Sequence, residues 1–328
     1  MVESMNVLVC GGAGYIGSHM VRRLAAAGHQ VTVFDNLSTG HREAVAGAEL
    51  VVGDLLDPSA LAQLFGQRRF DAVVHFAARS LVGESVAQPY LYYENNVVGS
   101  LNLLRAMREA GVERIVFSST AAVFGHPECE PIDEDHPTRP INPYGASKLM
   151  VERLLADAAQ AYGLRSVSLR YFNAAGAATE GGIGEAHEPE THLIPNVLRS
   201  ALGRGPALKV FGTDYPTRDG TCVRDYVHVD DLCEAHLAAL RFMGETAGAH
   251  LFNLGNGQGF SVLEVLDAAA RVAGAKIDYE TAPRRAGDPA VLVASSRKAR
   301  EQLGWSPQHT DIEAIIASAW NWHRAPAY

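Results

Sequence analysis

An apolar run, Met5-Asn6-Val7-Leu8-Val9-Cys10, passes directly into Gly11-Gly12-Ala13-Gly14-Tyr15-Ile16-Gly17 and then into an amphipathic stretch, Ile16 to Ala27. No other feature of the chain restricts its fold so tightly. Glycines placed between a buried strand and a helix let the backbone approach a pyrophosphate, and the helix N-terminus meets its charge. Asp35 stands eighteen residues after Gly17, at the end of a second β-rich run. A carboxylate there suits the adenosine ribose hydroxyls and repels a 2′-phosphate, which favours NAD over NADP, although Arg42 lies nearby. Asp54, after Val51-Val52-Gly53, ends a third run within reach of an adenine.

The same rhythm continues along the first half. Strands are predicted at Asn6 to Cys10, Gln30 to Phe34, Leu50 to Val52, Ala72 to His75, Arg114 to Ser118 and Ser166 to Arg170. Their uniform apolarity is that of strands buried on both faces of a parallel sheet. Helical patterns alternate with them at Ser59 to Phe65, Leu91 to Ala110 and Tyr144 to Tyr162. After Gly176 the alternation stops, and Gly181 to Pro195 reads as irregular loop, followed by convincing helices only at Val262 to Ala273 and Ile312 to Trp322. The expected fold is therefore α/β, a doubly wound parallel sheet (Rossmann-type) with a smaller C-terminal substrate-binding domain. The dinucleotide-binding domain is expected to span residues 1–176, with 226–258 returning to it, and the second domain residues 177–328.

Catalytic chemistry centres on Tyr144, Lys148 and Thr120. Asn142-Pro143 has the form of a helix start, which puts Tyr144 in the first turn and Lys148 one turn later on the same face. A phenol has an ordinary pKa of about 10, and a neighbouring ammonium together with a nicotinamide cation favours the phenolate. Thr120 follows Ser118-Ser119 at the carboxyl edge of the sheet, where a hydroxyl can relay the proton of a reacting oxygen. Together they point to removal of a hydroxyl proton while hydride leaves the same carbon.

Composition narrows the partners. Net charge is −9 over 328 residues, with both signs mixed along the chain, which disfavours nucleic acid and anionic membrane surfaces. No run approaches a membrane span of ~18 apolar residues, and the N-terminus reads as a first strand, not a targeting segment. Cys10, Cys129, Cys222 and Cys233 are far apart and lack C-x-x-C spacing. No metal site is expected from them, and a reducing, cytoplasmic setting is.

These motifs resemble the extended short-chain dehydrogenase/reductase family and, within it, the UDP-hexose 4-epimerase branch. The likeness rests on Gly11-x-x-Gly14-x-x-Gly17, Thr120, Tyr144-x-x-x-Lys148, Asp35-Asn36-Leu37, His75-Phe76-Ala77-Ala78 and Tyr93-Glu94-Asn95-Asn96. It extends through Arg170-Tyr171-Phe172-Asn173, Val210-Phe211-Gly212-Thr213 and Val223-Arg224-Asp225-Tyr226 to Asp288. The resemblance implies a tightly held NAD contacted by Gly11, Gly14, Tyr15, Ile16, Gly17, Asp35, Asn36, Asp54, Leu55, Phe76, Ala77, Asn95, Ser118, Tyr144, Lys148 and Phe172. It implies that Tyr144 takes the proton of the sugar 4-hydroxyl with Thr120 bridging, that hydride passes from C4 to the nicotinamide, and that the 4-keto sugar turns before hydride returns. Lys148 would hold the nicotinamide ribose and keep Tyr144 acidic.

By the same resemblance, a UDP-sugar would meet Thr120, Tyr144, Asn173, Leu193, Phe211, Arg224, Arg285, Asp288 and Leu292. Arg224 and Arg285 would grip the diphosphate, Asp288 the uridine ribose, and Phe211 the uracil. Leu292 stands where narrow-range members carry tyrosine, which leaves N-acetylated UDP-sugars open as further substrates. A dehydratase, a uronate or pentose 4-epimerase, and a non-catalytic NAD-sensing regulator remain alternatives. Apolar stripes on Leu91 to Ala110 and Tyr144 to Tyr162 suggest a four-helix homodimer interface.

Overall fold

The structure, a computed structural model, describes residues 4–205, 207–285 and 288–328. Its chain divides into two units, residues 1–125, 137–170 and 233–252 in the first and 126–136, 171–232 and 253–328 in the second.

The first unit is built on a seven-stranded sheet. In chain order six strands are β1 (Asn6–Cys10), β2 (Gln30–Asp35), β3 (Glu49–Val52), β4 (Ala72–His75), β5 (Arg114–Thr120) and β6 (Arg165–Tyr171). The spatial order runs Ala249–Leu254, β6, β5, β4, β1, β2, β3. β1 pairs in parallel with both β2 and β4, so the winding reverses there and a crevice opens beyond their carboxyl ends. β4 is buried throughout, and β1, β5 and β6 are buried beyond their first residue, as the uniform apolarity of these strands requires. On one face Leu8, Phe34, Val73, Ile115 and Phe117 meet Leu61, Leu64, Leu103, Met107, Val151 and Leu155 from the flanking helices. Each such side chain stabilises the fold by roughly 1.5–3 kcal/mol relative to its exposed state.

The helices start where capping chemistry places them. Asp57 accepts the N–H groups of Ser59 and Ala60 ahead of Pro58–Gln67, and Asn142 accepts the N–H of Gly145 ahead of Pro143–Tyr162. One expected helix is not continuous. Leu91 to Ala110 resolves into a short helix Pro89–Tyr92, a π-helical turn Tyr93–Val98 and the helix Gly99–Glu109. The sequence periodicity hides this widened turn, because Asn96 spends its side chain on tertiary hydrogen bonds.

The second unit has a helical core. Ile194, Val197 and Leu198 of helix Leu193–Ala201 meet Val265 and Leu266 of Val262–Ala273 and Ile315 and Ile316 of Ile312–Arg324. Short strand pairs surround it, with Asn173–Ala175 parallel to Tyr226–His228 and Leu208–Phe211 parallel to Tyr279–Ala282. The domain limits differ from those expected. The first boundary falls after Arg170, not Gly176, because Asn173–Ala175 is committed to pairing within the second unit. The returning segment is residues 233–252, not 226–258, and residues 126–136 join the second unit, where Ile132 bridges Ala294. Among the described residues no helix is long and apolar enough to cross a membrane.

Candidate active site

The glycine turn is closed by contacts that no side chain would permit. A Cβ on Gly17 would lie 2.1 Å from the carbonyl oxygen of Gly11, and one on Gly11 would lie 2.4 Å from the amide nitrogen of Ala77. Gly11 has φ +76, in the left-handed region that glycine enters at little cost. Gly14 caps helix Tyr15–Ala26 and makes no side-chain cap, so no residue of the turn competes with an anion for the helix start. A Cβ on Gly14 would meet nothing closer than 3.5 Å, which leaves that face of the turn open to a ligand. Tyr15 and Ile16 open the helix, and the carbonyl of Tyr15 accepts the hydroxyl of Ser18 at 2.9 Å. The cradle fits a dinucleotide pyrophosphate.

Asp35 ends β2 with its carboxylate turned onto this turn. Its Oδ2 accepts the N–H of Ala13 at 2.9 Å and its Oδ1 that of Leu37 at 2.8 Å. Burial pushes the Asp35 carboxyl upward, and these two backbone bonds pull it back. Asp35 therefore shapes the turn and still offers lone pairs to a ribose. Beside it, Nδ2 of Asn36 donates to Oδ2 of Asp54 at 2.9 Å, while Oδ1 of Asp54 accepts the N–H of Leu56 at 2.8 Å. Asp54 is thus a partner of Asn36 as well as a candidate adenine contact. The carbonyl of Leu55 accepts Nδ2 of Asn102 at 3.0 Å, which ties this loop to helix Gly99–Glu109.

Beyond β4 the amides of Phe76 and Ala77 both donate to the carbonyl of Cys10, at 2.8 and 3.1 Å, which draws this loop over the turn. Phe76 lies against His236 with ring centroids 4.8 Å apart. Asn95 and Asn96 lie on the π-helical turn, a distortion that recurs at functional sites. Nδ2 of Asn95 donates to Oδ1 of Asn96 at 2.9 Å. Asn96 in turn bonds the backbone of Arg79 on both sides and the hydroxyl of Ser147 at 3.0 Å. It locks the Phe76 loop to the helix that carries Tyr144.

At the end of β5, Thr120 is the last strand residue, not the one past it. Its hydroxyl accepts the N–H of Ala122 at 3.1 Å and hydrogen-bonds Tyr144. Burial pushes the phenol of Tyr144 up, and the bond with Thr120 draws it back. Lys148 is buried and donates from Nζ to the carbonyl of Ser118 at 2.7 Å. Burial drives its ammonium down to about 7, opposed by the carboxylate of Glu152.

Lys148 is expected from the sequence to keep Tyr144 acidic jointly with a bound nicotinamide cation. Nζ stands 6.0 Å from the centre of the Tyr144 ring and is turned onto Ser118. Both groups share one desolvated region, so each disfavours its own charged form. For the phenol, burial outweighs the opposing pull of the Thr120 hydrogen bond.

In the second unit, Nη2 of Arg224 lies 3.4 Å from Oδ1 of Asp288, and Nη1 donates to the carbonyl of Val223 at 2.9 Å. The exposed guanidinium of Arg285 sits 4.1 Å from the centre of the Phe211 ring. Leu292 is the register partner of Arg224 in a parallel strand pair, which puts the specificity candidate beside a diphosphate candidate. Nδ2 of Asn173 donates to the carbonyl of Asp225 at 2.9 Å, and Phe172 precedes it. Leu193 is the first residue of helix Leu193–Ala201 and packs on the core of that unit. Arg224, Asp288, Arg285, Phe211 and Leu292 thus form two adjoining groups, and Leu193 stands with neither.

The profile of the NAD dependent epimerase/dehydratase family matches residues 7–255. This chain belongs to that family. A curated relative from Streptomyces lividans, UDP-glucose 4-epimerase, is 55% identical over 319 residues, covering 96% of this chain and 95% of its own. The UDP-glucose 4-epimerase of Streptococcus mutans is 54% identical over 322 residues, 97% of each chain. Among solved structures, the UDP-glucose 4-epimerase of Brucella ovis in complex with NAD is similar at TM-score 0.94, with 47% identity over 97% of this chain and 98% of the other. The UDP-Glc/GlcNAc 4-epimerase of Campylobacter jejuni matches at TM-score 0.86, 43% identical over 98% of this chain and 99% of the other.

Two groups central to this epimerase/dehydratase chain escaped the sequence reading. Glu152, one turn beyond Lys148, accepts the hydroxyl of Ser119 at 2.6 Å and both Nε and Nη2 of Arg170, at 2.8 and 2.6 Å. Its i+4 spacing from Lys148 was the available signal. Asp225 is fully buried and receives the backbone N–H groups of Asn256, Gly257 and Ala294 at 2.6, 3.0 and 3.0 Å. No local pattern announces partners so distant along the chain.

Proposed function

We propose that this chain interconverts UDP-glucose and UDP-galactose by NAD-dependent epimerisation at C4 through a transient 4-keto sugar. The hydrogen-bonded Tyr144–Thr120 pair at the end of β5, with buried Lys148 behind it, carries this reading. The high identity to UDP-glucose 4-epimerases along nearly the whole chain supports the same substrate class.

The glycine turn, Asp35, Asn36, Asp54, Leu55, Phe76, Ala77, Asn95, Ser118 and Phe172 are the proposed NAD contacts. NAD held by these residues would supply the hydride acceptor and donor and a positively charged nicotinamide. Tyr144 accepts the 4-hydroxyl proton and later returns it, and Thr120 keeps that proton in line. Lys148 holds ribose hydroxyls with its compact ammonium while Glu152 supports its charge. Arg224 and Arg285 are proposed to hold the diphosphate, with Phe211 against uracil, Asp288 at the ribose, and Asn173 and Leu193 lining the sugar end. Guanidinium suits phosphate oxygens, and an acidic chain needs such local cations.

The purified chain, without added cofactor, is expected to convert UDP-galactose to UDP-glucose, as followed by NMR of the products. No interconversion even with saturating NAD would contradict the reading. A second reading widens the substrate range to N-acetylated UDP-sugars. Leucine at 292 is shorter than tyrosine, and the Campylobacter jejuni neighbour is described as acting on both UDP-Glc and UDP-GlcNAc. Leu292→Tyr is then expected to lower kcat/KM for UDP-N-acetylgalactosamine ~10–100-fold relative to UDP-galactose, from the ~1–3 kcal/mol that pocket shape controls. An unchanged ratio would reject this.

We also propose a cytoplasmic homodimer. Exposed Tyr90, Val98 and Met150 on and beside the two striped helices support pairing, and four free cysteines suit a reducing compartment. A light-scattering mass of a single 35.2 kDa chain would refute the dimer.

A further inference from the structure

The loop before helix Leu193–Ala201 carries a second polar cluster that the epimerase chemistry does not use. Glu185, His187, Glu190 and His192 each offer one donor atom, and all four atoms lie within 4.8 Å of one another. Nδ1 of His187 stands 3.0 Å from Oε1 of Glu185, and Nδ1 of His192 meets the same oxygen. Opposite them, Oε1 of Glu190 accepts the backbone N–H groups of Thr191 and His192 at 2.8 and 2.9 Å. Oε2 of Glu190 is buried and has no hydrogen-bond partner. It lies 4.0 Å from Nδ1 of His187.

A buried carboxylate oxygen that faces no donor is costly, and in native proteins such an atom calls for an explanation. Two carboxylates, 4% and 1% exposed, have here been taken out of water against each other as well as against the imidazoles. Ion pairing with the histidines accounts for Glu185. It leaves the second oxygen of Glu190 buried beside His187 without a hydrogen-bond partner.

We propose that Glu185, His187, Glu190 and His192 form a four-coordinate site for a divalent metal ion of the zinc type. Zinc takes imidazole nitrogen and carboxylate oxygen at ~2.0–2.2 Å in tetrahedral array, which sets neighbouring donors ~3.3 Å apart. The present donor separations run from the close His192–Glu185 contact, through 3.0 Å for His187–Glu185, to the 4.8 Å limit, and so bracket that value. Two nitrogens with two oxygens, and no thiolate, fit zinc better than copper(I), and the small ligand number disfavours calcium. To bind, each imidazole presents its Nδ1 lone pair and keeps its proton on Nε2. The metal then takes the place of the N–H···O bonds to Glu185, and its charge answers both carboxylates.

Four protein ligands close the coordination sphere, so the ion is structural. The carbonyl of Glu185 accepts Nε1–H of Trp322 at 2.9 Å, and His192 is the cap residue of helix Leu193–Ala201. The ion therefore pins the loop between two fixed points of one helical core. His187 and His192, with side chains 30% and 52% exposed, leave a route for entry.

The test uses the untagged full chain carrying Cys129→Ser, which removes an exposed thiol, a competing type of zinc ligand. After EDTA treatment and dialysis, zinc is titrated, bound metal is counted by mass spectrometry after desalting, and Tm is followed in parallel. The expected result is one zinc per chain and a Tm raised by several degrees, because the ion binds the folded state. Cobalt(II) is expected to give the intense visible bands of a tetrahedral site. Glu190→Gln combined with His192→Ala is expected to abolish both the stoichiometric zinc and the Tm response, with NAD content unchanged. No bound zinc in the parent chain, or equal zinc in the double variant, would overturn the proposal. If the double variant does not fold, the cobalt spectrum of the parent chain decides, and octahedral or absent bands overturn it.

Discussion

Tyr144→Phe is expected to lower kcat ~100–10,000-fold, the range that a positioned proton acceptor contributes, while KM and bound NAD stay near their parent values. The substitution removes one oxygen from a half-buried ring whose neighbour Tyr92 lies edge-on at 6.5 Å, so the packing survives. What disappears is the phenol oxygen that hydrogen-bonds Thr120 at the end of β5. Without that acceptor the 4-hydroxyl cannot shed its proton as hydride departs. The loss is confined to the transition state, which is why KM is the control. Kinetics at saturating UDP-galactose, with NAD content measured on the same sample, check it. An unchanged kcat would remove Tyr144 from the chemistry.

Burial gives this residue a particular dependence. In the chain alone both Tyr144 and Lys148 are pushed towards their neutral forms, the first above its ordinary value and the second to about 7. A positive charge beside the ring favours the phenolate.

Glu152→Ala is expected to cost ~3–5 kcal/mol of stability, as removal of one partner of a buried ion pair does. Glu152 and Arg170 have side chains 4% and 3% exposed, and the carboxylate also takes the hydroxyl of Ser119. Alanine would leave the guanidinium buried without a counter-charge. The neighbouring Lys148 would lose the carboxylate that supports its ammonium, so its pKa would fall from about 7. Urea denaturation of parent and variant measures the first effect. A paired Glu152→Met, Arg170→Met variant is expected to recover most of the stability, because hydrophobic replacement of both charges removes the stranded one. A single-variant loss under ~1 kcal/mol, the value of an exposed pair, would contradict the assignment.

Much of the first unit was legible because its signals are local. The glycine turn, Asp35 at the end of β2, and Asn142-Pro143 ahead of the catalytic helix each declare themselves within a few residues. The six strands of the first half lie where uniform apolarity puts them, to within one or two residues. What stayed hidden depends on partners far along the chain. The π-helical turn at Tyr93–Val98 follows from the use of Asn96 by Arg79 and Ser147. The Ser119–Glu152–Arg170 network joins two strands and a helix, and Asp225 gathers loops from residues 256–257 and 294. Gly181 to Pro195 reads as irregular loop from sequence, yet helix Leu193–Ala201 begins within it and the Glu and His side chains ahead of that helix converge. On the substrate side, the sequence resemblance names Phe211 and Arg285 as separate contacts, whereas the structure stacks one on the other.

In the proposed reaction one carbon gives up its hydrogen as hydride and takes the same hydrogen back. UDP-galactose carrying deuterium at C4, incubated in ordinary water with the purified chain, tests it directly. The account predicts UDP-glucose with the deuterium still on C4. Deuterium lost to solvent would contradict it and point to proton abstraction from carbon instead.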